Sequence, residues 1–196
     1  GQNQTLKITE DGYINELDIS ISSSYKDFIF IGASMGLTDI QFTQRTTYKE
    51  DEFISDNEVS SIENFTYNQY LDVSGDGVNF KIGTFIKPVP FLRLGWAYHS
   101  RTYTDLEETY EASMETNFST GESYEAISPI GMFSYGLNTP AKSITSLALL
   151  QQYGKVKCFI TLDYESIDYG SSDLHAMSYS FFEENENISE FYNRTN

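Results

Sequence analysis

Cysteine, histidine and proline are scarce in this chain, and each shortage excludes something. Its 196 residues include one cysteine, Cys158, so no internal disulfide can form. Cys158 lies in an apolar alternating run and reads as a small hydrophobe. A thiol nucleophile would need a nearby base, and only His99 and His175 are present. Four prolines do not make a disordered Pro-rich chain. No run of 18 apolar residues occurs, so no transmembrane helix is expected. That leaves membrane barrels open, because their strands show only alternation. No signal peptide is visible at the start, and Gly1 reads as the edge of an internal or mature fragment.

Positive charge is also short. Twelve Lys and Arg face 29 Asp and Glu, a formal net charge of −17. Such a surface repels phosphate backbones, so no nucleic-acid partner is expected. It also argues against a polybasic membrane-surface binder. Acidic loops that keep a protein dispersed are the plain reading. Catalytic motifs are missing as well. No Gly-x-Ser-x-Gly, His-Glu-x-x-His or phosphate loop occurs, and among so many acids no carboxylate pair stands out. No catalytic residue is assigned, and the chain is not expected to be an enzyme. Asp72-Val73-Ser74-Gly75-Asp76-Gly77 starts like a calcium loop, but the twelfth position, which needs a bidentate Glu, is Gly83. No metal or cofactor is expected.

Tyr and Phe are abundant, at 15 and 14 residues, and they favour pleated, half-buried surface. Period-two alternation recurs along the chain, and helical periodicity is nearly absent. Leu17, Ile19 and Ile21 alternate with Glu16, Asp18 and Ser20. Leu92, Leu94, Trp96 and Tyr98 alternate with Arg93, Gly95, Ala97 and His99. Val156, Cys158, Ile160, Leu162 and Tyr164 alternate with Lys157, Thr161 and Asp163. Each run has one apolar face and one small or polar face.

Three tight turns separate such runs, at Ser23–Lys26, Lys87–Pro90 and Gln152–Lys155. They start 64 and 65 residues apart, which suits two long strands joined by a long loop at the far end. The runs are 12–22, 27–49, 63–86, 91–117, 124–151 and 156–165, with an acidic loop over 50–62 and another loop at Gly121. A bulge is expected at Ser74-Gly75-Asp76-Gly77, and interruptions at Pro129 and Pro140. Tight turns then fall on one rim and long loops on the other, as in outer-membrane barrels, although a soluble meander can do the same. The fold expected is all-β: an antiparallel up-and-down meander of long hairpins, forming a partial or closed β-barrel of membrane-protein type. Residues 1–196 form a single barrel segment, with about six long strands between 12 and 165. Residues 166–196 are expected to be loop with room for one further strand.

The ordered segments Gly75–Gly83, Lys87–Pro90, Leu92–Ser100, Asn138-Thr139-Pro140 and Asp163–Tyr169 resemble the FadL/TodX-type outer-membrane transport proteins, in the form common in Bacteroidetes. The resemblance covers roughly Ile8 to Asp173. It implies a barrel in the outer membrane of a Gram-negative bacterium that carries long-chain fatty acids or other hydrophobic small molecules inward. The family's N-terminal hatch and terminal aromatic strand have no counterpart here, so this chain reads as an internal piece of the wall. The partners implied are a hydrophobic small molecule or fatty acid in the full-length parent, and outer-membrane lipid. The fragment is also expected to self-associate through open strand edges. The alternative is a soluble or cell-surface β-rich binding or adhesion module, which acidic loops would suit.

Two ligand-binding candidates follow. Arg93 and His99 alternate with the lipid-type residues of their run and would face the lumen of a barrel. Arg93 could hold a carboxylate by paired charge-assisted hydrogen bonds. The plainer reading pairs Arg93 with an acid on the next strand, such as Asp163. Trp96 and Tyr98 fit an aromatic girdle at the bilayer rim or the core of a soluble sheet.

Overall fold

The computed structural model describes residues 3–51 and 62–193. It contains ten strands and one helix: β1 (Asn3–Tyr25), β2 (Ile29–Asp51), β3 (Ile62–Val89), β4 (Leu92–His99), β5 (Tyr103–Phe118), β6 (Ser123–Ile127), β7 (Gly131–Asn138), β8 (Lys142–Tyr153), β9 (Val156–Ile167), β10 (Asp173–His175) and α1 (Phe182–Asn193). The fold is all-β, an antiparallel meander of long strands. β2 lies between β1 and β3, and β3 is followed in the sheet by β4 and β5, then by β8 and β7, then by β9 and β10. The sheet is not closed: β1 pairs only with β2, and β9 only with β8.

Six long strands are therefore present, three of them broken. Strand four divides into β4 and β5 at residues 100–102, strand five into β6, β7 and β8 at 128–130 and 139–141, and strand six into β9 and β10 at 168–172. Side chains replace lost ladder bonds there. Thr139 Oγ1 accepts from the Thr102 amide at 2.9 Å, and Ser100 Oγ accepts from the Phe80 amide at 2.8 Å. Arg101 donates to Asp173 at 2.9 Å, and Asn138 donates to the other oxygen of the same carboxylate at 2.9 Å. The Thr102 and Phe80 amides are thus answered by side chains, and Asp173 ties the break in strand four to strand five.

The chain divides into two compact units. The first comprises Gly1–Ile14, Ile40–Gly75 and Leu106–Ser134; the second comprises Asn15–Asp39, Asp76–Asp105 and Tyr135–Asn196. The first unit is knitted by polar side chains. Asp72 accepts from Gln41 and Thr43, at 3.1 and 2.9 Å, so the acid that opens the calcium-like stretch is already occupied. The second unit carries the three tight turns and α1. Among the described residues Leu106 is the one buried hydrophobic, and no side chain is fully buried. A single-layer sheet explains this: both faces remain accessible.

Several expectations need correction. The first tight turn lies at Tyr25–Phe28, not Ser23–Lys26: Lys26 and Asp27 both have φ near 50°, and the Phe28 amide donates to the Tyr25 carbonyl at 3.0 Å. Two consecutive left-handed residues are the mark of the hairpin turn whose twist matches its strands. β3 runs unbroken through Ser74-Gly75-Asp76-Gly77, and its register shift against β4 falls between Ile86 and Val89. A Cβ on Gly77 would sit 2.8 Å from the Thr104 methyl, so close approach favours glycine there. The acidic loop at 50–62 lies largely outside the described residues.

The tail differs most. After the short strand β10 it forms the 12-residue helix α1, which was not expected. Phe181, Asn185, Ile188 and Ser189 are its half-buried positions, at helical spacing. Ser180-Phe181-Phe182-Glu183 has the spacing of a capping box, and Ser180 Oγ accepts from the Phe182 amide at 3.3 Å. Glu183 and Glu184 in the first turn suit the helix dipole. Among the described residues no helix is long and apolar enough to cross a membrane.

Candidate functional site

The cross-strand register sorts the side chains of the second unit onto two faces. Ile86, Leu94, Leu147 and Leu162 stand in one row across β3, β4, β8 and β9, and Leu92, Leu149 and Ile160 in the next. Toward the long-loop end the following row brings Trp96 level with Thr145 and Tyr164, and Tyr98 follows beside Ile82. Trp96 stacks on Tyr98 with centroids 6.4 Å apart, and its indole N–H donates to Ser143 Oγ at 3.0 Å. At the other end stand exposed Tyr25, Phe28 and Phe91. The aliphatic rows of this face thus run from the tight turns, where these aromatic residues are exposed, to the Trp96–Tyr98 pair. Ile160, Leu162 and Tyr164 are 67–70% exposed, so this face has no protein partner on β9.

The opposite face carries Lys81, His99 and Lys142 in one row, then Gly83, Ala97, Ile144 and Glu165, then Phe85, Gly95, Ser146 and Asp163. Alternation places these on the polar side, because successive residues of a strand point to opposite faces. Lys81 bridges Glu16 and Asp18 of β1, at 3.0 Å to Asp18. Asn79, only 4% exposed, donates to Glu16 at 2.7 Å. Asn79 fits there because Gly36 has no side chain: a Cβ would lie 2.7 Å from Asn79 Oδ1. Lys142 reaches Glu165 at 3.5 Å.

A cleft of about 710 Å³ opens on this side. Ser22, Gly32, Gly83 and Gly95 make its floor, and the rings of Phe30 and Phe85 stack beside it, 4.2 Å apart and parallel. Lys87 lies 4.3 Å from the Phe30 ring centroid, a cation–π geometry. The arrangement offers an apolar, narrow-floored surface with cations at its margins. Chemically it can hold a hydrophobic body; it presents no nucleophile and base in reach of each other. Among the described residues no group of three or more His, Cys, Asp or Glu converges as a metal site would require.

Arg93 and His99 both fall on the polar face, but the fold does not bring them together. Six residues of one strand separate them, about 20 Å. Arg93 is exposed, opposite Ala148, and makes no ion pair among the described residues. Asp163 lies opposite Ser146, in a different row from Arg93, so the pairing expected for Arg93 is absent. His99 is half-buried, flanked by Lys81 on one side and Lys142 on the other. The residues that sequence reading missed are Glu16, Asn79 and Lys142, which surround this row from other strands. Only the register reveals them.

In the first unit a smaller cleft includes Arg45, whose guanidinium lies 5.2 Å from the Tyr70 ring centroid. Nearby, Gln69 donates to the hydroxyls of Tyr67 and Tyr110, at 3.1 and 2.8 Å. The hydrogen bond with Tyr110 pushes the Tyr67 hydroxyl above its ordinary pKa. These groups bind one another and leave no evident reactive centre. No family model matches the chain, and no curated protein matches it in sequence, so the functional reading rests on geometry.

Proposed function

We propose that this chain is a section of the wall of an outer-membrane β-barrel that conducts hydrophobic small molecules, fatty acids among them. One observation carries the reading: the exposed aliphatic rows on one face run from the aromatic-bearing tight turns to Trp96, Tyr98 and Tyr164, while the other face is polar and glycine-floored. From Val156 to Tyr164 this band runs about 27 Å along the strand, or about 21 Å in height at a ~40° tilt. Lipid-facing bands of such barrels are about 25 Å tall, with aromatic girdles at both interfaces. In water, so large an apolar face on a single layer would be costly. The strands extend beyond the band, and β3 at 28 residues is more than twice the length a bilayer needs. The cleft beside Phe30 and Phe85 supports a hydrophobic cargo on the polar side.

The single tryptophan gives a direct test. Trp96 lies on the apolar face. In phosphatidylcholine bilayers, phospholipids with brominated acyl chains are expected to quench its fluorescence, and aqueous iodide is not. Iodide quenching without bromolipid quenching would refute the wall reading and favour a soluble surface module.

A further inference from the structure

The net charge hides a local reversal. The three tight turns and their flanks, residues 25–28, 87–93 and 153–157, contain Lys26, Lys87, Arg93, Lys155 and Lys157, with Asp27 as the sole acid. Five of the chain's 12 basic residues therefore sit in three short segments, and the local charge is +4 in a chain of −17. The segments lie together at one end of the ladder. The Lys87 amide donates to the Phe28 carbonyl at 2.9 Å, joining the first turn to the second. The Leu150 amide donates to the Phe91 carbonyl at 2.7 Å, joining the second turn to the strand that leads into the third.

None of the five cations forms an ion pair among the described residues. Among the described residues the other basic side chains of this unit behave differently: Lys81, Arg101 and Lys142 all pair with carboxylates. Lys26, Arg93, Lys155 and Lys157 are exposed. Lys26 and Lys87 lie over the rings of Tyr25 and Phe30, 5.2 and 4.3 Å from the centroids. Exposed Tyr25, Phe28, Phe91 and Val156 stand among them. Free cations next to amphipathic aromatics, at the end of an apolar band, make a surface that is half hydrocarbon and half positive charge.

We infer that the tight-turn rim seats on anionic phospholipid headgroups. Lys87, Arg93 and Lys157 alternate onto the polar face, so it is Lys26 and Lys155, in the turns themselves, whose stems lie along the apolar boundary and whose charged ends reach the phosphates. The aromatic rings occupy the same interfacial layer. A basic residue near an anionic lipid surface contributes about 1 kcal/mol, roughly fivefold in binding per residue. The inference takes its geometry from the wall reading, since the rim is the end of the proposed bilayer band, but the two are tested separately.

The probe is flotation of the full chain with vesicles of phosphatidylcholine, with and without phosphatidylglycerol. An acidic protein without this rim would avoid the anionic vesicles. The expected result is stronger retention on phosphatidylglycerol, falling as salt rises. The double variant Lys26→Gln/Lys155→Gln should lose about 25-fold of that preference. Both side chains are exposed, so their loss leaves the ladder intact. Lys7→Gln/Lys49→Gln, away from the rim, should change nothing. Equal binding to both vesicles, an unchanged rim variant, or an equal loss in the Lys7/Lys49 variant would each overturn the inference. Bromolipid quenching of Trp96 without any phosphatidylglycerol preference would remove this inference and leave the wall reading. Phosphatidylglycerol-dependent retention with Trp96 open to iodide would do the reverse.

Discussion

Two glycines four residues apart on β2 should respond oppositely to the same substitution. At Gly36 an added methyl would meet Asn79 Oδ1 at 2.7 Å, Glu16 Cδ at 2.9 Å and Asn79 Nδ2 at 3.0 Å. Asn79 has little room to retreat, since it is 4% exposed and holds Glu16 at 2.7 Å. The methyl must break that contact, and a hydrogen bond to a charged group contributes about 1.5–3 kcal/mol. Alanine recovers roughly 0.5 kcal/mol over glycine inside a strand. Gly36→Ala should therefore cost about 2 kcal/mol. At Gly32 the nearest atoms are Ser22 Cβ at 3.6 Å and the Ile21 carbonyl oxygen at 3.7 Å, ordinary contact distances. Gly32→Ala should be neutral or stabilise by about 0.5 kcal/mol. Urea unfolding in mild detergent, followed by Trp96 fluorescence, measures both. In an Asn79→Ala background the Gly36→Ala cost should fall by more than half, since only the Glu16 contact at 2.9 Å remains. Equal costs at the two glycines, or strict additivity with Asn79→Ala, would refute the reasoning.

Two further outcomes are expected. In a bilayer, Leu94→Arg should cost about 2–4 kcal/mol, because it places charge in the middle of the apolar rows; a variant that inserts as well as the parent chain speaks against the band. Asn185→Ala should free the edge of β10, since Asn185 accepts from the Leu174 amide and donates to the Leu174 carbonyl, both at 2.8 Å. Hydrogen exchange at Leu174 should then rise by at least tenfold, the loss of about 1.4 kcal/mol, and an unchanged rate would show that the helix is held without this contact.

Alternation made the strands legible. Leu92 to His99 reads as a two-faced strand and is one, because a period of two maps directly onto a pleated surface. The spacing of the tight turns likewise located the hairpins on β3–β4 and β8–β9, although the second turn falls at Pro90–Phe91, because β3 runs on through Lys87 to Val89 instead of turning at Lys87–Pro90. The first turn was displaced because three serines suggested it, whereas Lys26 and Asp27 adopt the left-handed conformation and the serines stay extended. Pro129 and Pro140 signalled the two breaks in strand five. The break at residues 100–102 carried no such signal, because hydroxyls on strands far away in sequence keep it satisfied. Helix α1 was obscured by its own polarity: Asn185 occupies a half-buried position where a hydrophobe would have shown the period. At the candidate site, face assignment needed only alternation. The Glu16–Lys81–Asn79 contacts span more than 60 residues of sequence and depended on register.

Asn185 has one more consequence. A side-chain amide offers the same donor and acceptor as a peptide group, so at Leu174 the helix substitutes for a neighbouring strand. In polymer terms, this lowers the number of growth sites. β10 is terminated there, while β1, β6 and β9 each pair on one side only and keep a row of unanswered backbone groups. Every edge that a side chain answers in this way removes one site at which strand-by-strand association could continue.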